Sequence, residues 1–521
     1  MSDIILVAIN ARYIHASFGL RCLRANLGEL RGHCEIAEFV AGQRSLEIVE
    51  RILAAQPRIV GLGVYIWNVA QATEVVALLK RIRPGLPVVL GGPEVSHETE
   101  AQEIVRLADH VVTGEADLAF PELCRRLLAG ESPGEKIIVS PLPDLARLAL
   151  PYDEYTAEDI SHRLVYVEAS RGCPFSCEFC LSSLDIPVRS HPLEAFLEAM
   201  QRLLDRGVRH FKFVDRTFNL NLDTSRRILE FFLVRMSQGL FLHFEMVPDR
   251  FPEELRELVV RFPPGTLQFE VGVQTFNPEA AAAIGRRQDY GRLEENLRFL
   301  AEKTTVHVHA DLIAGLPGED ERSFSAGFDR LVALKPQEIQ VGILKRLRGT
   351  PIGRHDAEWG MVYSPLAPYE ILQNRLIDFP AMQRLRRFAR IWDLVANSGN
   401  FVETTPPIWS GEPSPFAAFM RFSEWYYDRE GRHHAIALVR TMERLLEYLT
   451  IERRIDAIAA ATALWNDYQR GNRCEMPPFL RPHLPDAKAS ARNPSVGQSR
   501  TIRRQERHAG DGISSRSDHR E

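Results

Sequence analysis

The chain has 521 residues, of which 45% are apolar and 26% charged, and its net charge is −5. This length exceeds what one ordinary core serves, so we expect two or three domains. The near balance of 64 basic and 69 acidic side chains disfavours a general polyanion binder, and therefore nucleic acid as a partner. No apolar run approaches the ~18 residues of a membrane helix, so no membrane partner is expected. Seven cysteines, an odd number over a long chain, do not suggest a disulfide framework, and the start has no signal-peptide pattern. Both features favour the reducing cytoplasm.

The first 140 residues alternate short apolar runs with amphipathic stretches. Val, Ile and Leu fill the runs without strict alternation, which is typical of parallel strands covered on both faces. The stretches between them place apolar residues at helical spacing. We therefore predict a doubly wound, Rossmann-like α/β domain over residues 1–140 and a Pro-punctuated linker over residues 141–162. The predicted strands cover residues 4–9, 58–66, 86–92 and 109–115.

A second α/β series runs over residues 163–355. Helical patterns such as residues 193–207 and 223–236 separate its strands. Six parallel strands in a segment of roughly 190 residues fit a partial (β/α)6 barrel better than a complete eightfold one. In such a barrel the chemistry belongs to the loops at the carboxyl ends of the strands. The predicted strands cover residues 163–170, 210–215, 240–247, 267–274, 306–319 and 338–347.

Residues 356–484 carry long helical patterns and are predicted to form a mostly helical domain, whose role the sequence leaves open. Residues 485–521 are polar and rich in Ser, Arg, Gly and Pro, which predicts a disordered tail. The aromatic side chains of the helical domain either cap the barrel mouth and select substrate or form a helical core, and we favour the core. They include Trp409, Trp425, Tyr426 and Tyr427.

Three of the seven cysteines, Cys173, Cys177 and Cys180, stand within eight positions after the first barrel strand. A structural zinc site needs four ligands, but His162 precedes the strand and Cys124 belongs to the other domain. Iron–sulfur clusters are also held by closely spaced thiolates, and three thiolates on a four-iron cluster leave one iron open for chemistry. The spacing Cys-x3-Cys-x2-Cys therefore favours a [4Fe-4S] cluster.

This spacing at the end of a first barrel strand resembles the signature of the radical S-adenosylmethionine (SAM) superfamily, with Phe179 as the aromatic before the third cysteine. The resemblance implies that the open iron binds SAM. An electron from a low-potential, flavodoxin- or ferredoxin-like donor then cleaves SAM to methionine and a 5′-deoxyadenosyl radical. Glu270 and Gln274 share a strand face with Gly272 and could meet the SAM ribose or form an internal network. The other SAM contacts that the resemblance implies are Asp215, Arg216, Asn219, Gly315 and Gly318.

The N-terminal sheet is expected to bind a ligand at its carboxyl edge, in the loops of residues 10–19, 65–68, 91–96 and 113–117. No G-x-G-x-x-G follows the first strand, which disfavours a dinucleotide. Joined to a radical SAM barrel, this domain resembles the cobalamin-binding domain of cobalamin-dependent radical SAM proteins. The resemblance implies cobalamin contacts at Tyr13, His15, Gly19, Tyr65, Gly91, Gly92, Pro93, Gly114 and Glu115.

The first loop departs from the pattern of cobalamin folds that replace the lower cobalt ligand with histidine. Those folds use Asp-x-His-x-x-Gly, whereas here Tyr13 stands in the Asp position before His15, and Gly19 comes one residue late. His15 could ligate cobalt, contact the corrin periphery or hydrogen-bond within its loop. Many members of the family bind the corrin without a protein ligand, so cobalamin binding is still expected.

The combined resemblance implies an enzyme with three cofactors: a [4Fe-4S] cluster, SAM and cobalamin. Its radical would abstract hydrogen from an unactivated carbon of a small-molecule substrate, and methylcobalamin would deliver a methyl group that a second SAM replaces. Cyclisation or rearrangement is an alternative within the family. A methylthiotransferase is another, but it would need a second cluster on Cys22, Cys34 and Cys124, whose convergence we do not expect. A cobalamin carrier or sensor is the non-enzymatic alternative, and the intact cysteine set disfavours it.

Overall fold

The computed structural model describes residues 2–131, 133–185, 187–485 and 504–508. Of the predicted tail, residues 485–521, only residues 485 and 504–508 lie within these ranges. Among the described helices, none combines the length and apolar character needed to cross a membrane.

The N-terminal domain is an open parallel sheet with strands β1 (Ile4–Asn10), β2 (Cys34–Val40), β3 (Ile59–Gly63), β4 (Val88–Gly91), β5 (His110–Thr113) and β6 (Ile137–Val139). Its helices are α1 (Phe18–Ala25), α2 (Ser45–Ala54), α3 (Val69–Ile82), α4 (Glu103–Leu107) and α5 (Ala119–Leu128). The strand order is β2-β1-β3-β4-β5-β6. Since β1 pairs with both β2 and β3, the order reverses there, and a crevice opens at the carboxyl ends of β1 and β3.

The doubly wound sheet predicted from the sequence is confirmed, with two strands more than predicted. The four predicted strands are the central ones, and β1 and β3 are buried along their whole length, which explains their continuous apolar runs. The two additional strands, β2 and β6, form the edges of the sheet. The edge strand β2 contains two glutamates and is only partly buried, and β6 has three residues, so neither presents a long apolar run.

The second domain is a partial barrel that begins after α6 (Ala157–His162). Its strands are β7 (Val165–Val167), β8 (Ser170–Arg171), β9 (Arg189–Ser190), β10 (His210–Phe213), β11 (Phe241–Met246), β12 (Leu267–Gln274), β13 (His307–Ala314) and β14 (Glu338–Ile343). Its helices are α7 (Leu193–Asp205), α8 (Leu222–Leu233), α9 (Glu253–Val259), α10 (Pro278–Ala283), α11 (Tyr290–Lys303) and α12 (Glu321–Ala333). The six parallel strands, in the order β7-β10-β11-β12-β13-β14, confirm the predicted partial barrel.

The C-terminal region is mostly helical and packs beside β14, where Asn397 exchanges two 2.9 Å hydrogen bonds with the backbone of Ile339. Its elements are α13 (Asp356–Trp359), β15 (Val362–Tyr363), β16 (Ile371–Gln373), α14 (Phe379–Val395), α15 (Pro415–Glu430), α16 (Leu438–Glu447), α17 (Ala457–Arg470) and α18 (Arg504–His508). One apolar core runs from the barrel into these helices. The boundary at residue 356 therefore stays a prediction.

The aromatic side chains of this region pack within the helices, which agrees with the favoured interpretation. Tyr426 is fully buried, and Trp409 stacks on Trp392 with ring centroids 5.5 Å apart. From the predicted tail, α18 reaches the amino-terminal end of the barrel, where Arg504 Nε lies 3.0 Å from a carboxylate oxygen of Glu338.

Candidate active site

The three predicted cluster cysteines lie in the loop between β8 and β9, two short strands that pair antiparallel and close the base of the loop. The first predicted barrel strand is shorter than expected because its last residues leave the sheet to form β8. Gly172 adopts a φ of +94°, and a β-carbon there would lie 2.8 Å from the carbonyl oxygens of Asp185 and Pro187. The loop therefore needs glycine directly before Cys173.

All three thiols line one cavity of about 260 Å³ at the carboxyl ends of the barrel strands. Burial raises the pKa of Cys173 and Cys177, and the neighbouring thiols add to the shift for both. Arg286 Nη1 lies 3.7 Å from Cys177 Sγ and favours its thiolate. Three thiols around one open cavity suit a four-iron cluster, which binds each cysteine through a different iron. In the described part of the chain, no three His, Cys, Asp or Glu side chains form a site for one metal ion.

Carboxylates from neighbouring strands line the same cavity beside the thiols. Glu270 Oε2 lies 3.0 Å from His243 Nε2 and 3.9 Å from Lys212 Nζ. Burial acts against ionisation, but the hydrogen bond from His243 and the charge of Lys212 hold the pKa of Glu270 at about 2. Gln274 and Phe179 line the cavity as well. The predicted shared face of Glu270 and Gln274 therefore points into the barrel and carries a charged carboxylate.

Asp311 on β13 is a cavity residue that the sequence analysis missed. Its Oδ1 is buried without a hydrogen-bond partner among the described residues, although His309 Nε2 lies 3.4 Å away. Burial, reinforced by the charges of Glu270 and Glu245, raises its pKa well above the usual range. The sequence could have indicated Asp311, because residues two apart on a strand share one face and His309 and Asp311 are so placed. A neutral carboxyl group there could donate a hydrogen bond to a ligand.

Four of the predicted SAM contacts lie away from the cavity. Asp215 accepts hydrogen bonds from Ala169 N at 3.0 Å and Ser170 Oγ at 2.6 Å, and burial raises its pKa to about 6. It supports the chain just before the cysteine loop instead. The other three also contact protein. Asn219 is paired with the backbone of Val247 and Arg250, Gly315 packs against Ile371 and Met382, and Gly318 packs against Trp359.

A second cavity of about 480 Å³ opens at the reversal point of the N-terminal sheet. Tyr65 on its wall stacks on Trp67, with ring centroids 4.4 Å apart. Gly92 and Gly114 adopt φ values of +105° and +75°, which bring the backbone of their loops to the cavity wall. Seven of the nine predicted cobalamin contacts line this cavity: Gly19, Tyr65, Gly91, Gly92, Pro93, Gly114 and Glu115.

The other two do not line the cavity: Tyr13 contacts α6, and His15 contacts the barrel strand β7. Tyr13 donates a 3.0 Å hydrogen bond to Glu158, and His15 Nδ1 lies 2.6 Å from the hydroxyl of Tyr166 on β7. Burial and the nearby charges of Lys212 and Arg12 lower the pKa of His15. His15 therefore connects the two domains, since its hydrogen-bond partner lies on a barrel strand and not within its own loop.

The two cavities adjoin, since Ser182 and Arg216 line both. Arg216 also donates a 2.8 Å hydrogen bond to Glu245. A nearly buried Arg171, two residues before Cys173, binds Glu115 and Asp117 of the N-terminal domain at 2.8 Å each. Local sequence patterns do not reveal this ionic contact, because its partners lie more than 50 positions apart.

The three N-terminal cysteines do not converge on one site. Cys22 faces the cavity at the carboxyl edge of the N-terminal sheet, the larger of the two described, whereas Cys34 and Cys124 belong to the apolar core behind the sheet. Burial raises the pKa of Cys34 to about 12 and that of Cys124 still further. This arrangement agrees with the expectation that the three cysteines do not converge.

Three family models match successive parts of the chain. A family model described as a B12 binding domain matches residues 4–124, and one described as the radical SAM superfamily matches residues 167–330. A third, described as a protein of unknown function (DUF4080), matches residues 357–508. Residues 331–356 lie between the radical SAM match and the DUF4080 match.

Among curated proteins, an uncharacterized methyltransferase of Pyrococcus horikoshii is 27% identical over 306 residues, which cover 54% of this chain and 65% of that protein. The cobalamin-dependent radical SAM methyltransferase TokK of Streptomyces tokunonensis is 24% identical, over 57% of this chain and 48% of its own length. The chain thus spans less than two thirds of either relative. The solved structure of the radical SAM methyltransferase TsrM from Kitasatospora setae shares the fold, with a TM-score of 0.59 at 18% identity, over 72% of this chain and 80% of TsrM.

Proposed function

We propose that this chain is a cobalamin-dependent radical SAM methyltransferase, because it matches the family models of the radical SAM superfamily and of the B12 binding domain. The observation that carries the proposal is the pair of adjoining cavities. One is lined by the three thiols, the other lies at the ligand edge of the B12 binding domain, and Ser182 and Arg216 border both. Two cofactors held in these cavities would meet at one substrate.

Cys173, Cys177 and Cys180 would hold the [4Fe-4S] cluster, and Glu270, Gln274 and Asp311 would bind SAM beside it. When bound, the cluster supplies the electron that cleaves SAM, and cobalamin carries the methyl group that is transferred. Glu270, ionised by its contact with His243, accepts hydrogen bonds, whereas a neutral Asp311 can donate one. Glu270 could therefore accept a hydrogen bond from one ligand hydroxyl group, and Asp311 could donate one to another.

The corrin would occupy the larger cavity, with backbone at Gly91, Gly92 and Gly114 approaching it closely. The apolar wall that includes Leu20 and Leu90 would exclude water from its face. We propose a small-molecule substrate, which is consistent with the tryptophan substrate in the TsrM structure. We also propose a low-potential, flavodoxin- or ferredoxin-like donor and a cytoplasmic location, where thiols stay reduced.

A radical SAM cyclase or rearrangement enzyme would use the same two cavities and is the second candidate. The two differ in their use of SAM, because a methyltransferase consumes a second SAM to restore the methyl group and releases S-adenosylhomocysteine. A methylthiotransferase fits less well, because Cys22 is separated from Cys34 and Cys124.

The test is anaerobic reconstitution with iron, sulfide and hydroxocobalamin, followed by addition of SAM and a low-potential reductant. We expect 5′-deoxyadenosine, S-adenosylhomocysteine and corrin that stays with the protein through gel filtration. The variant Cys173→Ala should abolish 5′-deoxyadenosine, while Cys474→Ala, at an exposed cysteine far along the chain, should not. Equal nucleoside formation by the wild type and Cys173→Ala would refute the proposal, and 5′-deoxyadenosine without S-adenosylhomocysteine would favour the second candidate.

A further inference from the structure

The segment of residues 345–356, here named the bridging segment, connects the barrel to the C-terminal region and contacts both candidate cofactor loops. It follows β14, ends at the start of α13, and lies between the residues matched by the radical SAM and DUF4080 models. Its first half meets the loop after β4, and its second half meets the cysteine loop.

Arg348 joins the bridging segment to the N-terminal domain. Its Nε donates to Glu94 at 2.8 Å, and its Nη1 donates to Glu98 at 3.1 Å. Tyr369 donates a second hydrogen bond to Glu94 at 2.6 Å and lies under the Arg348 guanidinium, 5.0 Å from ring centroid to Cζ. Glu94 is only 4% exposed, so its carboxylate depends on these donors.

This joint lies directly beside the larger cavity. Glu94 follows Gly91, Gly92 and Pro93, which line the cavity, and its amide donates to Val64 O at 3.3 Å. The contact is also close in space, since a β-carbon at Gly349 would lie 2.3 Å from the ring of His97. A shift of the bridging segment would therefore move the glycine loop that we assign to cobalamin.

The other end of the bridging segment holds Glu178, which lies between the second and third cysteines. His355 Nε2 lies 2.9 Å from Glu178 Oε2, and Arg354 pairs with the other carboxylate oxygen. The amide of Ile352 donates to the carbonyl of Glu178 at 3.1 Å. His355 and Glu178 are both buried, whereas the Arg354 side chain is exposed at the edge of this joint.

We propose that the bridging segment fixes the distance between the two cofactor loops, with Arg348 and His355 as its positioning residues. This inference rests on the proposed function, because it assigns the loops to cobalamin and to the cluster. Twelve residues that bind both loops through buried carboxylates leave little freedom for one loop to move without the other. Positioning at this level matters because a displacement of about 1 Å between reacting groups can cost roughly 10²-fold in rate.

The first test is amide hydrogen exchange of the unloaded full-length protein, which needs neither cofactor. We expect Arg348→Met to speed exchange roughly tenfold at residues 94–98 and also at Glu178, beyond the other joint. His355→Leu should speed exchange at Glu178 and Ile352. Arg348→Lys, which keeps the charge, should restore part of the protection, and Arg261→Met, at an exposed arginine of the barrel, should change neither loop. If Arg348→Met fails to fold, Tyr369→Phe removes one donor to Glu94 and tests the same joint.

The second test measures the cofactor distance in the loaded protein by electron paramagnetic resonance, from the dipolar coupling between cobalt(II) and the reduced cluster. Arg348→Met, compared with the wild type at equal corrin and iron occupancy, should broaden the distance distribution. Effects confined to the mutated joint, or an unchanged distance distribution, would overturn the inference. A wild-type protein that binds neither corrin nor cluster would instead refute the proposed function, and the exchange data would show separately whether the two loops are coupled.

Discussion

Gly92 gives a sharp test of the cavity assigned to cobalamin, because its replacement by alanine introduces a defined backbone clash. Gly92 has a φ of +105°, and its β-carbon would lie 2.5 Å from the carbonyl oxygen and 3.1 Å from the amide nitrogen of Val64. Those two groups hold the loop, since Val64 N donates to Gly91 O at 2.8 Å and Val64 O accepts from Glu94 N at 3.3 Å. Gly92→Ala should therefore open the loop that borders the cavity.

The magnitude follows from the strain and the two hydrogen bonds. A non-glycine residue at this φ costs roughly 1–3 kcal/mol, and each lost backbone hydrogen bond adds about 0.5–1.5 kcal/mol, so we expect a loss of roughly 2–6 kcal/mol for the native loop. Since about 1.4 kcal/mol corresponds to a factor of ten, the Kd for hydroxocobalamin should rise at least tenfold. Titration followed by the visible corrin spectrum measures this directly.

Gly42→Ala is the matched control for this experiment. Gly42 has a similar φ of +92° in the same domain, but an added β-carbon would meet nothing within 4 Å. It carries the conformational strain without the clash and should leave the Kd for hydroxocobalamin close to the wild-type value. Equal corrin affinity in Gly92→Ala and wild type, or equal loss in both variants, would refute the reasoning.

Three further predictions concern the cysteine loop and the stability of the C-terminal region. Gly172→Ala should lose more than half of the cluster iron, because its β-carbon would clash with two carbonyl oxygens, whereas Gly207→Ala, with a φ of +97° in open space, should retain it; iron and sulfide analysis decides. Burial raises the pKa of Asp467 from 3.8 to about 6, so its folded form keeps a proton that the unfolded form loses. Stability should therefore fall as pH rises from about 4 to about 6, by up to roughly 3 kcal/mol, and Asp467→Asn should flatten this slope in urea unfolding; an unchanged slope would contradict it. Phe388→Ala should cost about 3–5 kcal/mol of unfolding free energy because the ring is fully buried, while Phe379→Ala, 47% exposed on the same helix, should cost far less; similar thermal midpoints for the two variants would contradict this.

The sequence predicts the sheets well because buried parallel strands leave continuous apolar runs. The strands that it misses in the N-terminal sheet, β2 and β6, are edge strands with mixed or short burial patterns. The cysteine loop is equally visible, since its chemistry depends on local spacing. Local patterns thus locate both candidate sites.

Contacts between distant segments are what the sequence could not reveal. Gly315 has a positive φ, and it was predicted to approach SAM. The groups that pack closely against it are the side chains of Ile371 and Met382 from the C-terminal region. His15 was considered as a cobalt ligand, whereas its partner is Tyr166, more than 150 positions away. A histidine or a glycine in the sequence indicates that its position needs a polar side chain or an unusual backbone angle. It does not identify the residue or ligand that contacts that position.

The central claim is that Cys173, Cys177 and Cys180 hold a four-iron cluster with one iron open to SAM. The most direct measurement is electron paramagnetic resonance of the reconstituted, reduced protein with and without SAM, together with iron and sulfide content per chain. We predict about four irons and four sulfides per chain, and a cluster signal whose g values shift when SAM is added. Zinc in place of iron, or a cluster signal that SAM leaves unchanged, would contradict the account.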